Sequence, residues 1–177
     1  MSRDRTSGAP RPSSSLDEIA ELAESSSGIV VALDQIVDPH NVGAIFRAAA
    51  AFDVSGVLMH KDRSSPLTDA ARRVSQGGSD VVPHANVTNL ARALDSLKKR
   101  GFWVLGTALG DEARPMAEVE VPLPTVLVMG SEHKGMRRLI ADKCDFLVTI
   151  PMSEKMQSLN VSQAAAVMLY ELRRREG

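Results

Sequence analysis

Short apolar runs rich in β-branched residues recur along the chain at 29–33 (IVVAL), 56–59 (GVLM), 80–83 (DVVP), 102–107 (FWVLGT), 125–130 (TVLVMG) and 146–151 (FLVTIP), each bounded by Gly, Pro or Asp. Between them, apolar positions recur at helical spacing over 40–53, 67–76, 88–100, 135–143 and 161–175. Strand and helix alternating in this way predict an α/β domain, a doubly wound and mostly parallel six-stranded sheet with helices on both faces. Leu16, Ile19, Ala20 and Ala23 also fall at helical spacing, in a stretch short enough to be only a turn within a linker. Residues 1–27 contain eight serines, two prolines, one glycine and no aromatic residue, too little apolar surface to offset the entropy of ordering. They read as a flexible tail or linker remnant, and 28–177 as the compact domain.

Composition narrows this picture. A chain of 177 residues has room for one domain and a short tail. With 44% hydrophobic and 24% charged residues it can bury a core, which rules out wholesale disorder. No run approaches the roughly 20 apolar residues of a membrane span, so no membrane association is expected. Cys144 is the only cysteine, so no disulfide can form within the chain, and a cytoplasmic setting is expected. The net charge of −1 lacks the basic excess of many nucleic-acid binders, so any phosphate binding must rest on local clusters.

Ligands of open parallel sheets sit at the carboxyl ends of the strands, which directs attention to the loops there. Three stand out: LDQIVDPHNVGAIFR (33–47), VMGSEHKG (128–135) and IPMSEKMQSLNVSQAA (150–165). Each has a plain structural explanation. Asp38 with Pro39 can cap a helix, Asn160 with Gln163 resembles a capping box, and Gly130 can simply let the chain turn. Caps do not explain Asn41, Arg47 or the long polar stretch 152–158. Other chemistries lack their residues: there is no GxGxxG, the glycines of 130–135 are followed by Met136 and Arg137 where a phosphate-binding loop needs Lys and Ser or Thr, and the four histidines have no metal-site spacing. No metal is expected. Asp142 and Asp145 beside Cys144 disfavour a reactive thiolate.

In order and spacing, DPHNVGAIFR, LVMGSEHKG and IPMSEKMQSLNVSQA resemble the three motifs of the SpoU/TrmH family of RNA ribose 2'-O-methyltransferases, in the SPOUT superfamily. Between the motifs, HKDRSSPLTDAARRVSQGGSD and VTNLARAL look like its RlmB-type branch, which acts on a guanosine of large-subunit (23S) ribosomal RNA. The resemblance covers about 29–174. It implies a carboxyl-terminal trefoil knot, a homodimer, and S-adenosylmethionine held against Gly130, Ile150 and Leu159, with Thr107 a further candidate. It implies catalytic positions at Arg47, Asn41, Glu132, Ser158 and Asn160: Arg47 reaching the partner's site, Asn41 and Glu132 holding Arg47, and Ser158 and Asn160 orienting the ribose or the loop. A guanidinium with a pKa above about 12 stays protonated, which favours a phosphate clamp or alkoxide stabiliser over a general base. The apolar stripe Val161, Ala165, Met168 and Leu172 suits either the dimer or the intrachain core.

RNA contacts are expected from Lys61, Arg63, Arg72 and Arg73, and from Lys134, Arg137 and Arg138. With six aromatic residues in all, recognition of phosphate and shape is favoured over base stacking. Residues 1–27 cannot contain the small RNA-binding domain that usually precedes such a catalytic domain. That reading leaves either an excised catalytic domain or a naturally short member. Ribosomal RNA is the first expectation. Transfer RNA, a non-catalytic RNA-binding or assembly factor, and a small-molecule methyltransferase are the alternatives.

Overall fold

The computed structural model describes residues 13–61, 67–110, 112–132 and 134–175. Seven strands, β1 (Ile29–Asp34), β2 (Gly56–His60), β3 (His84–Val87), β4 (Trp103–Thr107), β5 (Arg114–Pro115), β6 (Thr125–Gly130) and β7 (Phe146–Thr149), form one sheet in the order β3-β2-β1-β6-β4-β7-β5. Every pairing is parallel. The helices are α1 (Leu16–Ser26), α2 (Pro39–Ala51), α3 (Asp69–Ser75), α4 (Gly78–Val81), α5 (Leu90–Lys99), α6 (Arg138–Ala141) and α7 (Val161–Arg174).

Alternation along the central strands divides the core in two. Ile29, Val31 and Leu33 of β1, with Leu127 and Met129 of β6, meet Val42, Ile45 and Phe46 of α2 and Ala165, Met168 and Leu169 of α7. Val30 and Ala32, with Val126 and Val128, meet α1, α5 and α6 through residues such as Ile19, Leu94 and Ile140. A strand buried on both sides has no polar face to show, which is why β1 and β6 read as continuous apolar runs.

Three expectations are corrected. The sheet has seven strands rather than six, because Arg114–Pro115 adds a short edge to β7. The run DVVP is not a strand: Gly77, at φ +90°, opens α4, and a Cβ at Gly78 would stand 2.6 Å from the Phe46 carbonyl oxygen, so the glycine lets α4 lie against the α2 backbone. The valine pair then straddles the end of α4, Val81 exposed and Val82 buried, and β3 begins at His84. Residues 16–26 are not a flexible linker. Ser15 and Glu18 form a reciprocal capping box for α1, whose Ile19, Ala20 and Ala23 are buried, and Arg100 at the end of α5 ties it down through Glu24 at 2.7 Å and Asp17 at 3.1 Å. Residues 1–12 of the expected tail, and Arg63, lie outside the described residues. Among those described, no helix is long and apolar enough to cross a membrane.

His84 is buried edge-on against Phe46, with ring centroids 5.8 Å apart, and its Nδ1 has no hydrogen-bond partner among the described residues. Burial, and then the Arg72 guanidinium, hold its imidazole below the ordinary value of 6.5. A histidine kept neutral by folding leaves stability intact above the unfolded value, and stability is lost as pH falls from there through the lowered folded value. Chemical unfolding at pH 7.5 and 5.5 is therefore expected to show lower stability at the acidic pH, with His84→Gln narrowing the difference. An equal pH dependence in the variant would contradict this.

Candidate active site at the carboxyl ends of the strands

Residues at the carboxyl ends of β4, β6 and β7 line an open cleft of about 430 Å³. Its floor and walls include Thr107, Gly130, Ile150, Leu159, Ser158 and Glu132, so all of the cofactor positions expected from the sequence, and two of the catalytic ones, lie together. The size and the mostly apolar wall, with Met129, Leu147 and Met168 among its residues, suit a small organic ligand. The Thr107 hydroxyl donates to the Val128 carbonyl at 3.2 Å and so ties β4 to β6 beside the cleft.

The three loops are joined by polar contacts. Glu132 Oε1 accepts the backbone N–H of Val161 at 2.9 Å and also a hydrogen from Asn160 Nδ2. The second hydrogen of that amide goes to Asn41 Oδ1 at 2.9 Å, and Asn160 Oδ1 accepts from Ser162 N at 2.9 Å. Asn160 thereby caps α7 and bridges to both other loops with its full donor capacity. The Glu132 carboxylate also sits where the first N–H groups of α7 carry partial positive charge. Among the described residues no hydrogen bond joins Asn41 or Glu132 to Arg47 of the same chain; both are engaged with Asn160. Asn41 and Arg47 lie six positions apart on α2, about 240° around the axis, and so cannot share a face.

Arg47 is exposed, and neither it nor Asn41 lines the cleft. Its backbone is fixed instead: a Cβ at Gly78 would approach the Arg47 Cα to 3.0 Å. Ser75 braces the turn carrying that glycine, its hydroxyl 3.0 Å from Ser79 Oγ and accepting from Ser79 N at 3.2 Å. Of the expected RNA contacts, Lys61, Arg73, Lys134 and Arg138 are exposed, Arg72 pairs with Asp80 at 3.4 Å, and Arg137 is committed to Asp34. Burial and the neighbouring Asp145 push the Cys144 thiol up to about 12, which suits an inert side chain. No group of three or more His, Cys, Asp or Glu residues able to hold a metal ion occurs among the described residues.

Asp34 is not among the site residues expected from the sequence. The last residue of β1 is fully buried and faces Arg137, whose backbone N–H reaches Oδ2 at 2.8 Å while Nε and a terminal nitrogen reach Oδ1 at 2.7 and 2.6 Å. A carboxylate closing an otherwise apolar strand was the available signal.

Residues 28–170 match the SpoU rRNA methylase family. The chain is 47% identical to the 23S rRNA (guanosine-2'-O-)-methyltransferase RlmB of Pseudomonas aeruginosa, over 88% of this chain and 63% of that protein. It thus spans just under two thirds of the length of that relative. Among solved structures, the SpoU methyltransferase AviRb from Streptomyces viridochromogenes, in complex with the cofactor AdoMet, superposes with a TM-score of 0.81 at 27% identity, over 93% of this chain and 63% of that one. The TrmH/SpoU tRNA modifying enzyme of A. aeolicus gives 0.78 at 31% identity, over 91% of this chain and 82% of its own.

Glu132→Ala removes the acceptor shared by the α7 amino terminus and Asn160. The expected loss is about 1–2 kcal/mol of stability, with faster hydrogen exchange at the Val161 amide. Unchanged protection of that amide would show that the loops are joined by something else.

Proposed function

The chain belongs to the SpoU rRNA methylase family, and from that premise we propose that it transfers a methyl group from S-adenosylmethionine to the 2'-hydroxyl of a ribose in structured RNA, with a guanosine of 23S ribosomal RNA as target. The observation that carries this reading is a cleft lined by the second and third loops, to which the first is joined by the Asn160–Asn41 hydrogen bond. The target follows the 47% identity to a 23S rRNA guanosine-2'-O-methyltransferase. The resemblance to a tRNA modifying enzyme, at 31% identity, keeps transfer RNA as the second reading.

The residues present fit the cofactor. The cleft has the volume of a small-ligand site and an apolar wall, and its lining carries Glu132 and Glu112, suited to cationic groups, and Lys134, suited to a carboxylate. S-adenosylmethionine supplies, when bound, an electrophilic methyl group on a positively charged sulfur. Gly130 and Ile150 at the strand ends and Leu159 before α7 would hold it largely through backbone groups, and Thr107, also in the lining, ties β4 to β6. Methyl transfer to an oxygen requires the two reacting atoms near 3 Å and in line, so positioning dominates the rate.

Ser158, half-buried in the lining of the cleft, would orient the ribose or the loop. Asn160 and Glu132 keep the loops in place, Glu132 Oε1 through Val161 and Asn160, and the Asn160 amide through Glu132, Asn41 and Ser162. Arg47, permanently charged and exposed in the single chain, is suited to clamp an RNA phosphate or stabilise a developing alkoxide in the site of a second copy. This assigns a homodimer as the active unit. Val167 and Tyr170, exposed on α7, offer apolar surface for it. Threading of the carboxyl-terminal segment as a trefoil knot, and action in the cytoplasm, complete the reading. Lys61, Arg73, Lys134 and Arg138 supply local positive charge despite the net charge of −1.

Calorimetry with S-adenosylmethionine, followed by methyl incorporation into ribosomal RNA, tests the reading. The protein is expected to bind the cofactor, and Arg47→Ala to retain that binding while turnover falls about 100-fold or more. Absence of cofactor binding would reduce the protein to a scaffold. Unchanged turnover in Arg47→Ala would remove the role given to Arg47. Binding to RNA is expected to weaken steeply with salt.

A further inference from the structure

We propose that Asp34 and Arg137 form a positioning pair that sets one wall of the methyl-donor cleft, an inference that rests on the function proposed above. Neither residue lines the cleft. Asp34 is fully buried at the end of β1, in register with Gly130 at the end of β6. The loop that follows Gly130 folds back tightly: Ser131 and Gly135 exchange backbone hydrogen bonds at 3.2 and 2.8 Å, and Gly135 turns the chain at φ +65°. A Cβ on Gly130 would stand 2.4 Å from the Met136 nitrogen, so the returning strand of the loop lies directly on the β6 end.

The next residue, Arg137, is where this excursion is fastened. Its backbone N–H and its guanidinium grip both oxygens of Asp34, at 2.6–2.8 Å. A carboxylate withdrawn from water needs such compensation, and the fork geometry of arginine supplies direction as well as charge. The segment so closed carries Glu132, and through it the amino terminus of α7 and Asn160. It also presents Ser131, Lys134 and Met136 to the cleft. Fixing the two ends of the loop against neighbouring strand ends therefore fixes the wall. Buried ion pairs seldom add net stability over apolar residues of the same volume, so the value of this one lies in the single geometry it selects. The same geometry withdraws Arg137 from RNA contact.

The test measures S-adenosylmethionine binding by calorimetry without RNA, then the KM for the donor and kcat, in the wild-type protein, Asp34→Asn, Arg137→Lys and the double variant. Arg137→Lys leaves a cation beside the buried carboxylate and keeps the fold, but loses the fork. Each single variant is expected to weaken donor binding about tenfold and raise its KM more than it lowers kcat, and the double variant to add little. RNA affinity and its salt dependence should stay as in the wild type. Donor binding unchanged in Arg137→Lys, or a loss confined to RNA affinity, would overturn the pair's role. Failure of the wild-type protein to bind the donor would instead remove the function on which the inference rests.

Discussion

One carboxylate oxygen, Glu132 Oε1, accepts from both the backbone of Val161 and the side chain of Asn160, and so joins the loop after β6 to the turn into α7 along the cleft. Without it, the loop after β6 and the turn into α7 are separate surface segments. With it, they share a wall, and Asn160 extends the connection by its other N–H to Asn41 at the start of α2. Each of these bonds is near the surface and individually contributes on the order of 1 kcal/mol. They hold because their frames are rigid: α7 packs Val161, Ala165, Met168 and Leu169 into the core, and the Asp34–Arg137 pair fastens the loop from the other side.

The sheet explains why these loops meet. The chain builds β1, β2 and β3 outward in one direction, then crosses to place β4 and β7 on the other side of β6, which lies next to β1. Strand order therefore reverses near β1 and β6, where an open parallel sheet leaves a crevice beyond the carboxyl ends of its strands. The cleft opens beside that point, bordered by Thr107, Gly130 and Ile150 at or just after the ends of β4, β6 and β7. The glycine at the end of β6 is needed for packing as much as for ligand access, since the returning loop occupies the space of a side chain.

How much of this was legible in the amino-acid order varied with the length scale of the interaction. Strands β1, β2 and β6 were visible as apolar runs because burial on both faces leaves no other pattern, β4 and β7 because their β-branched and aromatic residues are bounded by turn residues, and α2, α5 and α7 because their apolar stripes repeat at helical spacing. The valines at 81 and 82 misled because β propensity is local, whereas the fate of that segment is decided by Gly78 meeting the backbone of α2. Helix α1 was underread because its serine-rich flanks resemble a linker, while its stability comes from Ile19 in the core and from Arg100, more than 70 positions away. Among the site residues, Glu132, Asn160 and Asn41 were legible as a set, but not the hydrogen bonds that join them to one another across the fold. Asp34 escaped because a single acidic residue at a strand end carries no periodic signal.

The central claim, that the cleft joined by Glu132 and Asn160 serves methyl transfer to RNA ribose, is tested most directly by following labelled methyl from S-adenosylmethionine into ribosomal RNA and digesting the product with alkali. A 2'-O-methyl group blocks cleavage of the adjoining phosphodiester, so the account predicts label in alkali-resistant dinucleotides containing guanosine. Label recovered only in mononucleotides, as base methylation would give, or no label above that of heat-inactivated protein, would contradict it.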